Sequence, residues 1–368
     1  MYCWLRLTGT GKSTLVRFII DALHLAPEDV TYIAYTGKAA QVLRSKGCPG
    51  AQTAHRLLYK SVQQKDGTYK HFPIRPIVGY KLIIVDEVSM LPKHMWQLLL
   101  SHHIPVIALG DPGQLPPVAA EDNLVLTQPH IFLEEVMRQA ADSEIIRLTM
   151  DIRDGKPLQL MRGNEVRIVN REELLYDGFL QWGDQIICGK NNTRSQLNDI
   201  MRQKILSIDP SNKEPVEGDR IICLHNEWGE INSTGDALVN GMSGKIDTIT
   251  WTNENPFMEK TPFINFKPDW EDSDIFYDLE SDYQMFMTGI PTVNKDTWQR
   301  IPKAYHPKIF DYGYVITCHK SQGSEYDKVI VLEEFLRGEG RQDHIKWLYT
   351  AATRAAQKLI IVKDFRLS

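Results

Sequence analysis

The sequence predicts an α/β fold with two parallel-sheet domains, a β-hairpin insertion and a small β-rich insertion. Short apolar runs alternate with helical patterns over the first 150 residues, and a second alternation begins near residue 156. Strands that alternate with helices favour parallel sheets covered by helices. From about 216 to 309 the second pattern is interrupted by strand-like segments and a Pro-, Asp- and aromatic-rich stretch. This interval predicts a β-rich insertion that carries a long loop.

Three apolar runs predict buried strands of the first sheet: "TYIAY" (31–35), "KLIIVD" (81–86) and "PVIALGD" (105–111). Helices are predicted between them at 13–25 and 38–46. Functional groups of open α/β sheets lie at the carboxyl ends of the strands. Thr36, Asp86 and Asp111 follow such ends, so the sequence places polar candidates at one edge of the sheet.

Residues 58–81 depart from the α/β rhythm. The segment "SVQQKDGTYKHF" has an Asp66-Gly67 turn between strand-like residues, which is a signal for a β-hairpin. A solvated surface hairpin and a functional one fit this segment equally well. In the second half, "DQIICGKNN" (184–192) predicts a strand and a turn, and the α/β pattern returns after the insertion with "YGYVITCHKSQGSEYDKVIVLEE".

Composition limits the class of protein. With 368 residues, 42% of them hydrophobic, and a net charge of −5, the chain predicts an ordinary soluble protein of two or three domains. Mild acidity does not indicate nucleic-acid binding, but it leaves room for a basic groove. No apolar run approaches the roughly 20 residues that span a bilayer, and no signal peptide is evident, so we expect no membrane partner and a cytoplasmic location. The cysteines are too scattered for a disulfide framework or a zinc site: Cys3, Cys48, Cys188, Cys223 and Cys318.

The opening stretch "LRLTGTGKST" (5–14) is similar to the phosphate-binding pattern G-x-x-x-x-G-K-[ST], with Arg6 in place of the first glycine. Lys12 would neutralise phosphates, and the Ser13 hydroxyl would bind Mg²⁺. A bulky residue at the glycine position can strain the turn, because glycine tolerates positive φ. The segment alone is short enough to occur by chance. The residues predicted to hold the nucleotide here are Gly9, Thr10, Gly11, Lys12, Ser13 and Thr14.

Two further strand ends carry the groups that nucleotide hydrolysis requires. In "LIIVDEVSM", Asp86 would hold Mg²⁺ and Glu87 would orient and deprotonate the attacking water. A solvated strand end is the alternative reading of this acidic pair. In "ALGDPGQLPPV" (108–118), a strand is followed by a turn that presents Gln114, an amide that can sense the γ-phosphate or position the water.

Together these segments resemble the motifs of superfamily 1 DNA helicases of the RecD/Dda-like branch, in the same order along nearly the whole chain. The resembling segments are "TGTGKST", "YTGKAAQVL" (35–43), "QTAHRLL" (52–58), "VDEVSM", "GDPGQLPPV", "LEEVMRQ" (133–139), "TCHKSQGSE" (317–325) and "LYTAATRA" (348–355). The resemblance implies ATP and Mg²⁺ between two RecA-like domains, with Arg138 and Arg354 reaching the γ-phosphate and Glu325 near the ribose.

The resemblance also implies a division of the chain and the partners it binds. Residues 1–155 form the first RecA-like domain, with a duplex-splitting pin at 58–81; 156–215 and 310–368 form the second; 216–309 form an SH3-like module. Single-stranded DNA and DNA forks are the implied partners of a monomer that moves 5′→3′ in replication or repair. The residues matching the DNA-contact positions are Thr36, Lys38, Thr53, His55, Thr317, His319 and Lys320, to which Asn192 and Arg194 are added.

The first residues depart from the pattern of that branch. Only "MYCWLRL" precedes Thr8 in this sequence, so the glutamine segment that contacts adenine in the branch has no counterpart in it. A truncated or misassigned start and tolerated variation would each explain this departure. Two alternative functions also remain: a nucleic-acid clamp in which the altered loop no longer turns over ATP, and an RNA-directed helicase of the same superfamily. A nuclease is not indicated, because no further carboxylate cluster appears in 156–368.

Overall fold

The computed structural model describes residues 2–6, 12–48, 50–63, 69–116, 131–133, 142–175, 178–234, 236–269, 273–294, 296–297, 300–335, 338 and 340–366. Among the helices of this part of the chain, none has the length and apolar character needed to cross a membrane.

Within these ranges, helices and strands alternate as the sequence predicts in both halves. The helices are α1 (Lys12–Ala22), α2 (Gly37–Ser45), α3 (Ala54–Leu58), α4 (Lys93–Leu100), α5 (Glu144–Arg153), α6 (Asn191–Leu206), α7 (Tyr283–Thr288), α8 (Cys318–Ser321) and α9 (Arg341–Ala352). The strands are β1 (Tyr2–Arg6), β2 (Val30–Ala34), β3 (Gln52–Thr53), β4 (Tyr59–Gln63), β5 (Tyr69–Pro73), β6 (Leu82–Val85), β7 (Val106–Gly110), β8 (Ile131–Leu133), β9 (Met161–Arg162), β10 (Val166–Val169), β11 (Gln185–Cys188), β12 (Arg220–Cys223), β13 (Glu227–Ile231), β14 (Ala237–Leu238), β15 (Ser243–Thr252), β16 (Thr261–Pro268), β17 (Phe276–Glu280), β18 (Phe310–Tyr312), β19 (Val315–Thr317), β20 (Tyr326–Leu332) and β21 (Ala355–Val362).

The first sheet has the order β3-β2-β6-β7-β1-β8, and all of its strand pairs are parallel. Its central strand β6 is wholly apolar because both of its faces are covered. Ile83 and Val85 pack with residues of α4 on one face, while Leu82 and Ile84 pack with Val16 of α1 on the other. The predicted parallel sheet is confirmed, with the ends of β2, β6 and β7 within one residue of expectation.

The second sheet contains the order β11-β20-β21-β10-β9. Its neighbours are parallel except for the pair β9–β10, which is antiparallel. Strand β20 ends in four consecutive buried residues, and β21 does the same, as expected for strands between two helical layers. Helix α9 lies between these two strands along the chain and leads to Arg354.

The chain divides into two compact units. One unit comprises Met1–Ser61, His71–Gly189 and Thr317–Ser368, and so contains the first sheet and strands β9, β10, β11, β20 and β21 of the second sheet. The other comprises Val62–Lys70 and Lys190–Ile316. The domain boundaries named above remain a prediction; helix α6 and strand β18, which flank the predicted insertion, fall in the same unit as the insertion.

The β-rich insertion forms an antiparallel five-stranded sheet with the order β17-β16-β15-β12-β18. In its core the ring of Phe266 packs at a tilt against those of Phe276 and Phe310, with centroids 6.3 and 5.2 Å away. Helix α7, which the sequence did not predict, follows β17, and the Asp282 carboxylate caps it by accepting the N–H of Met285. The likeness of the insertion to an SH3 fold remains a prediction.

The predicted hairpin is present as the two-stranded sheet of β4 and β5. Only residues 64–68 connect its strands, and so short a link requires antiparallel pairing. The Asp66-Gly67 turn lies outside the described residues.

Candidate nucleotide and nucleic-acid sites

The acidic pair Asp86–Glu87 lies directly at the carboxyl end of β6. The N–H of Asp86 still bonds the carbonyl of Ile33 on β2, at 2.8 Å, and its carboxylate accepts the N–H of Glu87 at 3.0 Å. Glu87 then adopts a left-handed conformation, with φ 48° and ψ 48°, before the 3-10 turn Val88–Met90. Such backbone is uncommon for a residue other than glycine and is concentrated at functional sites.

Arg354 comes from the second sheet and reaches the same point. Its Nη1 lies 3.7 Å from Glu87 Oε1, and both side chains are largely buried. The guanidinium also donates to the carbonyls of Thr350 and Ser324 and to the hydroxyl of Thr353, at 3.0 to 3.1 Å. These bonds fix the orientation of the guanidinium. The structure thus brings together Glu87 and Arg354, which the sequence predicted to act on one phosphoryl group.

The loop after β7 carries Gln114, whose side chain is buried. The loop is bonded on both sides of Gln114 by residues of the second sheet and its helices. Tyr349 donates to the Asp111 carboxylate at 2.6 Å, and Gln322 donates to the carbonyl of Leu115 at 2.8 Å. Tyr349 of α9 and Gln322, which follows α8, therefore hold the loop that carries the predicted sensor amide.

At Gly323 the backbone approaches side chains of another segment closely. Its φ is +74°, and a Cβ there would lie 2.9 Å from Thr36 Oγ1 and 3.1 Å from Ala39 Cβ. Both the conformation and the missing space require glycine. The turn between α8 and β20 can therefore lie against the first turn of α2, close to Glu87.

Glu325 and Lys38 each bind a partner on the opposite side of this contact. Glu325, predicted for the ribose, forms an ion pair with Lys46 at 2.8 Å, and both side chains are about half exposed. Lys38, predicted to contact DNA, is buried; its Nζ donates to the Tyr326 hydroxyl at 3.1 Å and lies 4.5 Å from that ring. A phosphate contact by Lys38 thus requires a change from this arrangement.

Two predicted DNA-contact threonines act locally as helix N-caps. Thr36 Oγ1 accepts the N–H of Ala39 at the start of α2, and Thr53 Oγ1 accepts the N–H of Arg56 at the start of α3, both at 3.2 Å. His55 stacks on Tyr59 with ring centroids 4.6 Å apart. Thr36 follows β2, Thr53 ends β3 and His55 follows it, so these residues share the carboxyl edge of the first sheet with Glu87.

The segment Thr317–Lys320 starts helix α8. Thr317 occupies the N-cap position, and His319 and Lys320 are half-buried. Desolvation by burial lowers the pKa of His319 below its ordinary value, so its imidazole is neutral at pH 7. His319 can therefore serve a DNA strand as a hydrogen-bonding group rather than as a positive charge.

The two added DNA candidates lie on α6, which begins at Asn191 where the sequence predicted a turn. Asn192 is exposed, and its side-chain oxygen Oδ1 accepts a hydrogen bond from Gln196 Nε2 at 3.3 Å. Arg194 is buried and forms an ion pair with Asp311. A buried guanidinium that neutralises a carboxylate is not available to a phosphate, so this placement does not favour the predicted DNA contact of Arg194.

Several predicted site residues lie outside the described part of the chain. Gly9, Thr10, Gly11 and Arg138 are not described, and of Lys12, Ser13 and Thr14 only the backbone of α1 is. Among the described residues no group of three or more His, Cys, Asp or Glu side chains could hold a metal. Asp86 nevertheless fits Mg²⁺, which in nucleotide sites takes one or two protein carboxylates together with phosphate oxygens and water.

Comparisons with known families agree with this geometry. The model of an AAA domain matches residues 2–171, and that of a UvrD-like helicase C-terminal domain matches residues 312–362. Glu87 lies in the first match and Arg354 lies in the second. Residues 2–171 are thus similar to an AAA domain, and residues 312–362 are similar to the C-terminal domain of UvrD-like helicases.

Two DNA helicases align with more than half of the chain. The ATP-dependent RecD2 DNA helicase of Deinococcus radiodurans is 27% identical over an alignment of 365 residues, which covers 95% of this chain and 45% of that protein. The ATP-dependent DNA helicase dda of Enterobacteria phage T4 is 26% identical over 58% of this chain and 54% of its own length. The chain thus spans about half the length of these relatives.

Among solved structures, the Pif1 helicase from Bacteroides in complex with ADP-AlF3 and single-stranded DNA has a TM-score of 0.53 and 17% identity. The match covers 100% of this chain and 89% of that one. At this identity the likeness shows the fold, and it confirms the expected α/β architecture with parallel sheets.

Four residues of the contact were missed by sequence reasoning: Gln322, Tyr326, Tyr349 and Thr350. Three of them lie inside the quoted segments "TCHKSQGSE" and "LYTAATRA", and Tyr326 follows the first segment directly. The motif match was therefore the signal in the sequence that could have pointed to them. Tertiary structure decides which side chains of a motif face a neighbouring segment.

Proposed function

We propose that the protein is an ATP-dependent DNA helicase that moves 5′→3′ on single-stranded DNA. The observation that carries the proposal is the meeting of Glu87 with Arg354, from two parallel sheets, beside the loop of Gln114. Phosphoryl transfer needs both a base and a positive charge. When these come from opposite sides of a cleft, the reaction depends on closure of that cleft. RecD2 and dda, both ATP-dependent DNA helicases, support the assignment.

In the proposed site the amides of 9–14 and Lys12 bind the phosphates, and Ser13 and Asp86 hold Mg²⁺. Bound Mg²⁺ would supply positive charge to the phosphate oxygens. Glu87 accepts the proton of the attacking water, Gln114 positions that water, and Arg138 and Arg354 stabilise the transferring phosphoryl group. In the described state Glu87 and Arg354 bind one another, so ATP entry must exchange this ion pair for contacts to the γ-phosphate.

The proposed DNA track follows the carboxyl edge of the sheets. Thr36, Thr53, His55, Thr317 and His319 offer hydroxyls, backbone amides and neutral rings, which suit sugar and phosphate contacts without sequence readout. Single-stranded DNA and forks are the proposed partners of a monomer. The proposed division of labour is a first RecA-like domain over 1–155, a second over 156–215 and 310–368, and an SH3-like module over 216–309.

The first test is ATP turnover with and without single-stranded DNA, together with unwinding of forks that carry a 5′ or a 3′ tail. We expect DNA-stimulated turnover and unwinding of the 5′-tailed DNA fork, both abolished in Lys12→Ala. No phosphate release, with Lys12→Ala indistinguishable from the parent, would establish a clamp in place of a motor. Preference for an RNA fork would make the protein an RNA-directed helicase.

The hairpin of β4 and β5 is the proposed wedge between the two strands. Its exposed Phe72 and undescribed tip lie on an element that neither sheet requires for its pairing. Deletion of residues 65–68 should therefore leave DNA-stimulated ATP turnover within about twofold and lower fork unwinding about tenfold or more. A parallel loss of both activities would show that the hairpin is structural.

A further inference from the structure

We propose that Tyr349 and Thr350 are positioning residues that tie the Gln114 loop to Arg354 and so transmit nucleotide state between the two sheets. The inference rests on the proposed function and adds a specific coupling element to it. Neither residue is proposed to contact the nucleotide. Both act through Gln114 and Arg354, which are proposed to contact it.

Tyr349 holds the start of the loop. Its hydroxyl donates to Asp111 Oδ2 at 2.6 Å, while Asp111 Oδ1 accepts the N–H of Gly113 at 2.9 Å. The ring lies against the loop so closely that a Cβ on Gly113 would be 3.1 Å from Tyr349 Cε1. Tyr349 and Asp111 are both almost fully buried, where a hydrogen bond to a carboxylate is strong.

Thr350 contacts both predicted γ-phosphate elements at once. Its hydroxyl accepts the N–H of Leu115, the residue after Gln114, at 2.8 Å, and donates to the carbonyl of Lys346 at 2.7 Å. Its own carbonyl accepts Nε of Arg354 at 3.0 Å. A displacement of the Gln114 loop is therefore passed through one fully buried residue to the guanidinium.

Both residues are consecutive on α9, which is a rigid element ending two residues before Arg354. Gln322 completes the arrangement by donating to the carbonyl of Leu115. The loop thus has three hydrogen bonds to the second-sheet side, on both flanks of Gln114. When the γ-phosphate moves Gln114, these bonds require the second-sheet side to move with it or to release the loop.

The test uses conservative variants of the full chain. In Tyr349→Phe the ring remains and only the hydroxyl is lost; in Thr350→Val the shape remains and the N–H of Leu115 loses its acceptor. We expect each to lower the kcat of DNA-stimulated ATP turnover about tenfold, with the KM for ATP within about twofold. Thr350→Ser keeps the hydroxyl and should restore kcat.

Matched controls remove equivalent groups away from the contact. Thr149→Val removes a buried helix hydroxyl that donates to the carbonyl of Ile146, and Tyr283→Phe removes a hydroxyl that donates to Glu214. Both should retain the parental kcat. The inference is overturned if Tyr349→Phe and Thr350→Val match these controls, if they raise KM at unchanged kcat, or if Thr350→Ser is as impaired as Thr350→Val. A parent without DNA-stimulated turnover would instead contradict the proposed function itself.

Discussion

Replacing Glu87 with glutamine is expected to reduce DNA-stimulated ATP turnover by about 10²–10³-fold, the contribution typical of a general base. Glutamine keeps the size of the side chain and its hydrogen-bonding reach, but it cannot accept the proton of the attacking water. It also removes the negative charge 3.7 Å from Arg354, so the guanidinium is no longer neutralised before ATP arrives. The loss should therefore appear in kcat, with ATP binding equal to or tighter than that of the parent.

Steady-state phosphate release at saturating single-stranded DNA gives kcat and KM, and equilibrium titration with a fluorescent ATP analogue gives the affinity. Glu28→Gln is the matched control, because Glu28 is an exposed glutamate of the same unit and lies in a short 3-10 turn before β2. It should behave as the parent. A Glu87→Gln variant whose kcat stays within threefold of the parent would exclude Glu87 as the base.

The parallel sheets were predictable because each buried strand leaves a local signature. "LIIV" of β6 is apolar throughout, since both of its faces are covered, and the polar residues that follow it mark the carboxyl edge. The adjacency of Asp86 and Glu87 at that edge follows from the chain itself. The left-handed conformation of Glu87 does not, because a positive φ at a non-glycine residue is imposed by the surrounding structure rather than by the residue's own preference.

Side-chain contacts between residues far apart along the chain could not be predicted from local sequence. Lys38 fits a phosphate by its charge, yet it is buried against Tyr326, nearly 290 residues further along the chain. Arg194 follows an Asn-rich segment that is typical of a loop, yet it is helical and pairs with Asp311. A lysine or arginine near a motif can equally bind a ligand or a carboxylate, and only the fold decides which of them is within reach.

The compact unit of Val62–Lys70 and Lys190–Ile316, called the insertion unit below, contains Arg202. Arg202→Met is expected to lower the free energy of unfolding of this unit by about 3–5 kcal/mol, the cost of removing one partner of a buried ion pair. Arg202 on α6 donates from Nε and Nη2 to the two carboxylate oxygens of Asp219, at 2.8 and 2.9 Å. It also donates to the carbonyls of Asn212 and Glu214 and lies over the ring of Tyr312. Methionine fills much of the volume but makes none of these bonds.

The variant leaves the Asp219 carboxylate fully buried with the N–H of Val216 and the hydroxyl of Tyr314 as its remaining described donors. Most of the destabilisation comes from burying the Asp219 carboxylate without a counter-charge. A second substitution that removes this negative charge should therefore recover part of the stability. Arg202→Met combined with Asp219→Asn should therefore be less destabilised than the sum of the two single variants.

Denaturant unfolding, followed by far-ultraviolet circular dichroism and by tryptophan fluorescence, measures the effect. Arg162→Met is the matched control, because Arg162 pairs with Glu173 while its own side chain is 77% exposed, and such pairs contribute about 0–1 kcal/mol. If Arg202→Met changed the unfolding free energy no more than Arg162→Met, the bonds from α6 to the segment before β12 would not hold the insertion unit together. Because Arg202 lies in the other compact unit from Glu87, the variant should leave the KM for ATP unchanged wherever the protein remains folded.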